Sequence, residues 1–115
     1  MSKYNNRKIT IDGHTFDSTL EYSRYCQLKL LQRAGEISNL QLQVPFTLQE
    51  SFKKNGKTYR PIIYIADFVY TEKGKTIVED TKGIKTEIFK IKQKLFEKRY
   101  PDLELKIITR EDIWN

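Results

Sequence analysis

Three dipeptides constrain this chain more than any other feature: Asp12-Gly13, Asn55-Gly56 and Lys73-Gly74, each set between short runs of strand-forming residues. A glycine in the second turn position removes the steric cost of a left-handed backbone, so such pairs close tight hairpins. Ile9–Ile11 and His14–Phe16 flank the first pair. A long β-rich run, Tyr59 to Thr71, precedes the third, and Thr76–Lys82 follows it. Between the first two pairs, Ser18-Thr19-Leu20-Glu21 fits a capping box. It opens a helix carrying Leu20, Leu28, Leu31 and Ala34, with Gly35 as its stop. From Leu40 the period becomes two. Leu40, Leu42, Val44, Phe46 and Leu48 alternate with polar residues or Pro45, which predicts a strand with one buried face. Thr86 to Tyr100 has Ile88, Ile91 and Leu95 with Phe89 and Phe96 at helical spacing, closed by Pro101. Leu103–Thr109 alternates as a final strand, and Asp112–Asn115 reads as a tail. The order is a short hairpin, then α-β-β-β-α-β. A helix between the third and fourth strands requires a parallel crossover there. The class is α/β or α+β, a mixed sheet flanked by helices, in one domain over 1–115 with 1–8 expected to fray.

Charge narrows the partner. Twenty-one Lys and Arg against 15 Asp and Glu give +6, with pI near 9.4. The excess has two addresses: Lys53, Lys54, Lys57 and Arg60 around the second turn, and Lys85, Lys90, Lys92, Lys94, Lys98 and Arg99 along the second helix. A domain this basic points to a polyanion, nucleic acid before membrane. One cysteine, Cys26, permits no disulfide within the chain, and reads as a packed helix residue. One histidine, His14, reads as a surface residue of the hairpin and excludes paired-histidine metal or nuclease chemistry. No apolar run reaches about 18 residues, and the first residues lack an apolar signal core, so the expectation is cytoplasmic.

The third hairpin carries chemistry. If Lys73-Gly74 is a two-residue turn, Glu72 faces Lys75, and stepping outward sets Asp67 opposite Asp80. Opposed like charges destabilise a sheet, so the pair makes sense with a cation between them. Period two puts Lys82 on the face of Asp80. Oxygen ligands without histidine or thiolate select Mg²⁺, with Mn²⁺ as substitute. Such an ion at a lysine is hardware for phosphodiester hydrolysis. Glu79 competes with Asp80, but alternation sets it opposite Phe68, away from Asp67.

The ordered set Phe16-Asp17-Ser18-x-x-Glu21, Leu40-Gln41-Leu42-Gln43, Tyr64-Ile65-Ala66-Asp67-Phe68 and Val78-Glu79-Asp80-Thr81-Lys82-Gly83 resembles the PD-(D/E)XK nuclease superfamily of restriction-endonuclease-like fold. More narrowly, it resembles small phage and prophage endonucleases related to Holliday-junction resolvases. Ala66 stands where the family name has proline. The resemblance implies a DNA endonuclease leaving 5′-phosphates, with Asp67 and Asp80 as metal ligands, the Thr81 carbonyl assisting, Lys82 as catalytic lysine, and Glu21 as an accessory acid near the metal. It also makes Gln43 a site neighbour if a bulge turns it inward.

Nucleic acid would be gripped by Lys53, Lys54, Lys57 and Arg60, and by Lys85, Thr86, Lys90 and Lys94, where a helix N-terminus follows Lys82-Gly83. Tyr22 or Tyr25, near Glu21, is a further candidate contact. Two symmetric nicks in a junction would need a homodimer. The alternative is a non-catalytic nucleic-acid-binding domain on the same fold.

Overall fold

All three glycine pairs turn the chain as their backbone freedom demands. The computed structural model describes residues 8–114, so all but Lys8 of the segment expected to fray lies outside the described residues. In order, β1 (Ile9–Ile11) and β2 (His14–Phe16) lead to α1 (Thr19–Arg33) and the long strand β3 (Ser38–Gln49). Then come β4 (Phe52–Lys54), β5 (Lys57–Tyr59), β6 (Ile62–Glu72), β7 (Lys75–Thr81), α2 (Glu87–Arg99), β8 (Glu104–Ile108) and α3 (Arg110–Trp114). Each glycine pair sits between directly paired residues: Ile11 and His14, Lys54 and Lys57, Glu72 and Lys75. Both turn residues have positive φ in every case, 55° and 77° at Asp12-Gly13, 53° and 76° at Asn55-Gly56, 50° and 78° at Lys73-Gly74. These are type I′ turns, whose twist matches that of the strands they join.

Helix ends follow local chemistry too. Ser18 Oγ accepts from the Glu21 N–H at 3.1 Å. At the other end of α1, Gly35 (φ 81°) donates to the Gln32 carbonyl and Glu36 to the Leu31 carbonyl. This is the doubled closure of a Schellman motif. Gly35→Ala meets open space yet forces an L-residue into the left-handed region. We expect a loss of about 1–2 kcal/mol in urea unfolding, with fold and secondary structure unchanged.

Four strands form one mixed sheet in the order β3-β6-β7-β8. β3, β6 and β7 run antiparallel, and α2 carries the chain across to β8, which pairs parallel to β7. Ile77 packs with Tyr25 and Leu28 of α1, and its neighbour Val78 with Phe89 and Phe96 of α2. Adjacent strand residues point to opposite faces, so the two helices cover opposite faces of the sheet.

Several expectations need correction. The run from Tyr59 is two strands, because Pro61 offers no N–H and separates the β4–β5 ribbon from β6. Ile88 and Ile91 are 69% and 59% exposed: Phe89, Leu95 and Phe96 fill the space against the sheet and leave the isoleucines outside. Cys26 is exposed rather than packed. Tyr25 is a core residue, its hydroxyl donating to Asp12 Oδ2 at 2.9 Å. The tail is the short helix α3, started by Thr109, whose N–H and hydroxyl donate to Asp112 Oδ2 at 2.7 and 3.0 Å. No helix among the described residues is long and apolar enough to cross a membrane.

One correction shapes the site. The apolar residues of β3 do not share one buried face. Leu40 and Leu42 pack in the α1 cluster, Phe46 and Leu48 in the α2 cluster. β6 divides at the same level, Phe68 and Tyr70 going to α1, Tyr64 and Ala66 to α2. The pairs Leu42–Phe68 and Val44–Ala66 keep one register, so no residue is gained or lost. Between them lie Gln43 and Asp67. Gln43 has φ 53°, left-handed in the middle of a strand, a conformation that costs on the order of 1–3 kcal/mol and persists only where the surroundings impose it. Here both strands exchange faces.

Candidate active site

The face exchange brings together residues that strict alternation keeps apart. Glu21 approaches from α1, while Asp80 and Lys82 stand on the α2 side of β7. Asp67 sits at the crossing and is reached from both. Pairing of β6 with β7 follows the register expected from the turn as far as Phe68–Glu79. One step further, Asp67 turns its carboxylate onto the partner strand. Its Oδ2 accepts from the Thr81 N–H and the Thr81 hydroxyl, each at 2.8 Å. Thr81 therefore fixes Asp67 through its own N–H and side chain, beyond the carbonyl role implied by the resemblance.

Asp80 is 2% exposed. Its Oδ2 accepts from the Tyr64 hydroxyl at 2.7 Å and lies 3.6 Å from Lys82 Nζ. The Lys82 ammonium also stands over the Phe89 ring, 4.6 Å from its centre, which holds it at the mouth of the site. Beside it opens a cleft of about 300 Å³, lined by Tyr64, Asp80, Lys82, Thr86, Phe89 and Lys92 with Ile63, Ile65 and Ile88.

Glu21 is 4% exposed, and its carboxylate does more than complete a capping box. Gln43 Nε2 approaches Glu21 Oε1 at 3.4 Å, a contact that the left-handed backbone of Gln43 permits. Burial, then the charges of Asp67, Asp17 and Asp80, push the Glu21 carboxyl up to about 8. Burial and the adjoining Asp67 carboxyl, close enough to share a hydrogen bond, push Asp80 up to about 7. Burial, foremost, also raises the Tyr64 hydroxyl, which stays a donor throughout the accessible range.

These shifts fix the sign of a pH effect. Both acids hold their protons more tightly when folded than at their ordinary values of 4.5 and 3.8. The stability they contribute is complete below about pH 4 and is lost as pH rises through about 7 to 8. Metal-free protein is therefore expected to lose urea resistance from pH 5 to 8.5. Added Mg²⁺ or Mn²⁺ is expected to restore more of it at the upper end. Rising stability across that range in the metal-free protein would mean that the carboxylates lie apart in solution.

A divalent cation fits this donor set. Asp67 and Asp80 each spend Oδ2 on hydrogen bonds, while Oδ1 of each accepts none from the described residues. Asp80 is only 2% exposed and its carboxyl lies within hydrogen-bond reach of Asp67, so a cation held by the pair would take the place of the proton they share. Among the described residues no three His, Cys, Asp or Glu side chains are grouped to hold a metal by themselves. Two carboxylates nevertheless suffice for Mg²⁺, which keeps several waters and takes substrate phosphate as a further ligand.

Other anticipated residues fall elsewhere. Glu79 is wholly buried on the α1 face, where Arg24 Nε and Nη2 donate to its two carboxylate oxygens at 2.7 and 2.6 Å and the Tyr70 hydroxyl donates to Oε2. Lys53, Lys54, Lys57 and Arg60 are exposed on and beside the β4–β5 ribbon, at the end of β6 remote from β7's turn. Thr86 caps α2 by accepting from the Phe89 N–H at 3.1 Å, and lines the cleft. Lys85 and Lys94 are exposed, and Lys90 pairs with Glu87 at 3.2 Å. Sequence reasoning missed Tyr64 as a partner of Asp80, and Lys92, whose Nζ donates to the Ile63 carbonyl at 3.0 Å while lining the cleft. Tyr64 lies three residues before Asp67, so alternation assigns it to the other face. Only the exchange of faces unites them.

A family model described as a protein of unknown function, DUF1064, matches residues 1–114. Comparison with curated proteins finds no match.

Proposed function

The chain belongs to the DUF1064 family of proteins of unknown function, and we propose that it is a Mg²⁺-dependent DNA endonuclease of PD-(D/E)XK type, acting on branched DNA. The observation that carries this reading is the close approach of Asp67 to Asp80 beside Lys82 where the two strands exchange faces, with Asp80 and Lys82 lining an open cleft. Mixed α+β architecture with a four-stranded mixed sheet is consistent with it. Asp67 and Asp80 would hold a divalent cation, which would supply Lewis acidity toward a phosphate oxygen and a water.

The chain's own groups do the rest. Thr81 holds Asp67, and Tyr64 holds Asp80, so each carboxylate is fixed through Oδ2. Lys82, anchored by Asp80 and the Phe89 ring, presents an ammonium that offsets charge gathering on the scissile phosphate and orients the attacking water. Glu21 adds a third carboxylate on the α1 side, positioned by Gln43. Thr86 and Lys92 give the cleft polar walls for the DNA backbone. Cutting two strands of a junction needs two sites, so the reading includes a homodimer. The exposed side chains of Ile84 and Ile91, which do not line the cleft, offer apolar surface for such a contact.

The test is direct. Labelled four-way junction, duplex and single strand are incubated with the purified chain in Mg²⁺, in Mn²⁺ and in EDTA. Metal-dependent cleavage leaving 5′-phosphate ends is expected, with the junction cut fastest. Absence of cleavage of all three in either metal would sink the enzyme reading and leave a binding domain.

A further inference from the structure

The β4–β5 ribbon carries two features that the described residues leave only partly satisfied: half-exposed aromatic rings and an opposed pair of lysines. Phe52 and Tyr59 pair directly across it, their rings stacked 4.8 Å apart at 10°, yet they remain 43% and 39% exposed and belong to neither core cluster. Lys54 and Lys57 also pair directly, and by the two-residue period they share the face of the aromatic pair. Opposed like charges destabilise a ribbon. Residues 51–64 contain no acid, and Lys53, Lys54, Lys57 and Arg60 form no ion pair with the described residues. Lys57 Nζ instead stands 5.0 Å from the centre of the Tyr59 ring.

We propose that this face binds unpaired nucleic-acid strand, with Phe52 and Tyr59 stacking bases and Lys54 and Lys57 holding the phosphates beside them. One ligand chemistry serves both, because phosphates neutralise the opposed lysines and bases cover the exposed ring surface. A single strand presents both groups in alternation. Duplex DNA keeps its base faces stacked inside and meets only the lysines. Stacking on aromatic side chains is indifferent to base identity, so the face selects strand form rather than sequence. The inference deepens the nuclease reading by naming the form of DNA held, and rests on that reading only for why DNA is held.

The test measures binding of the full chain in EDTA, where no cleavage intervenes. Fluorescence anisotropy is read with a labelled oligothymidylate and with a duplex of equal length. Wild type is expected to bind the single strand more tightly than the duplex. Phe52→Leu/Tyr59→Leu is expected to weaken single-strand binding about tenfold while leaving duplex binding nearly unchanged. Phe52→Trp, which keeps a stacking ring, is expected to bind like wild type, an outcome that a merely structural aromatic pair does not require. Lys54→Ala/Lys57→Ala is expected to weaken binding to both and to flatten the salt dependence for single strand by roughly 1.4 in log–log slope, at about 0.7 per cation. Its melting temperature is not expected to fall, since an opposed like-charge pair is gone. Wild-type single-strand binding by a folded Leu/Leu variant overturns the proposal. Metal-dependent cleavage alongside that result would leave the nuclease reading standing, whereas selective single-strand binding without cleavage in any metal would do the reverse.

Discussion

Asp80→Asn is expected to reduce metal-dependent nicking on the order of a hundred- to a thousandfold, the loss seen when one preorganised electrostatic group is removed from such a site. The substitution keeps the size of the side chain and an oxygen for the Tyr64 hydroxyl, which now donates to Oδ2 at 2.7 Å. It removes the charge on the oxygen that faces a cation. The same change relieves a repulsion, because Asp80 sits 2% exposed against Asp67, and that carboxyl is among the causes of its upward shift to about 7. At pH 8 and without metal the variant is therefore expected to melt at or above the wild-type temperature. Wild type gains stability from Mn²⁺ in proportion to site occupancy, about 2.7 kcal/mol at a hundred times the dissociation constant, and the variant is expected to lose most of that gain. Lost activity with retained stability is the signature of a residue at the chemistry. Undiminished cleavage would move the chemistry elsewhere, and a large drop in melting temperature would make Asp80 a structural residue.

Arg24→Ala is expected to cost about 3–5 kcal/mol, the penalty for removing one partner of a buried ion pair. Glu79 has no exposure, and its carboxylate is met by two guanidinium nitrogens of Arg24 and by the Tyr70 hydroxyl. Without Arg24 the charge stays buried with one hydroxyl for company. Arg24 Nη1 also holds Gln27, whose amide donates to the Ile113 carbonyl, so the loss extends from α1 to α3. Against a total of about 5–15 kcal/mol for a domain, this brings the protein close to unfolding at room temperature. The double change Arg24→Met/Glu79→Met replaces the pair with apolar volume and is expected to recover most of the stability. Urea unfolding of both variants decides it. A single-variant cost below about 1 kcal/mol, as for exposed pairs, would show that water reaches the pair.

Local chemistry made most of this fold readable. Turns at Asp12-Gly13, Asn55-Gly56 and Lys73-Gly74 declare themselves because left-handed backbone is cheap only for a few residues, and the last of them fixes the β6–β7 register. Ser18, Gly35 and Thr86 announce helix ends for the same reason, through a hydroxyl cap or a free φ. Parallel pairing of β7 with β8 follows from the crossover alone. Period two sets Asp80 and Lys82 on one face, as found, whereas the register expected to oppose Asp67 to Asp80 is paired only as far as Phe68–Glu79, and Asp67 turns to Thr81. Glu79 was rightly set apart from them, but its place in a buried pair with Arg24 needs contacts 55 residues apart in the chain. The isoleucines of α2 misled because their helical spacing is as regular as that of Phe89 and Phe96, and spacing does not say which arc meets the sheet. Tyr64 and the Glu21–Gln43 contact stayed hidden for a deeper reason. Period-two reasoning assumes that a strand keeps its faces, and nothing in the composition around Gln43 or Asp67 signals that both strands exchange them.

That exchange divides the interior. The α1 half-core and the α2 half-core share no continuous apolar layer across β3 and β6, and what lies along their boundary is acidic: Glu21, Asp67 and Asp80. The molecule is thus two small hydrophobic bodies joined by a seam of acids, which comes to repel itself as pH rises through about 7 to 8 and Asp80 and Glu21 lose their protons. Whatever neutralises the seam draws the halves together, so the group that equips the chain for chemistry would also act as the rivet between its two parts.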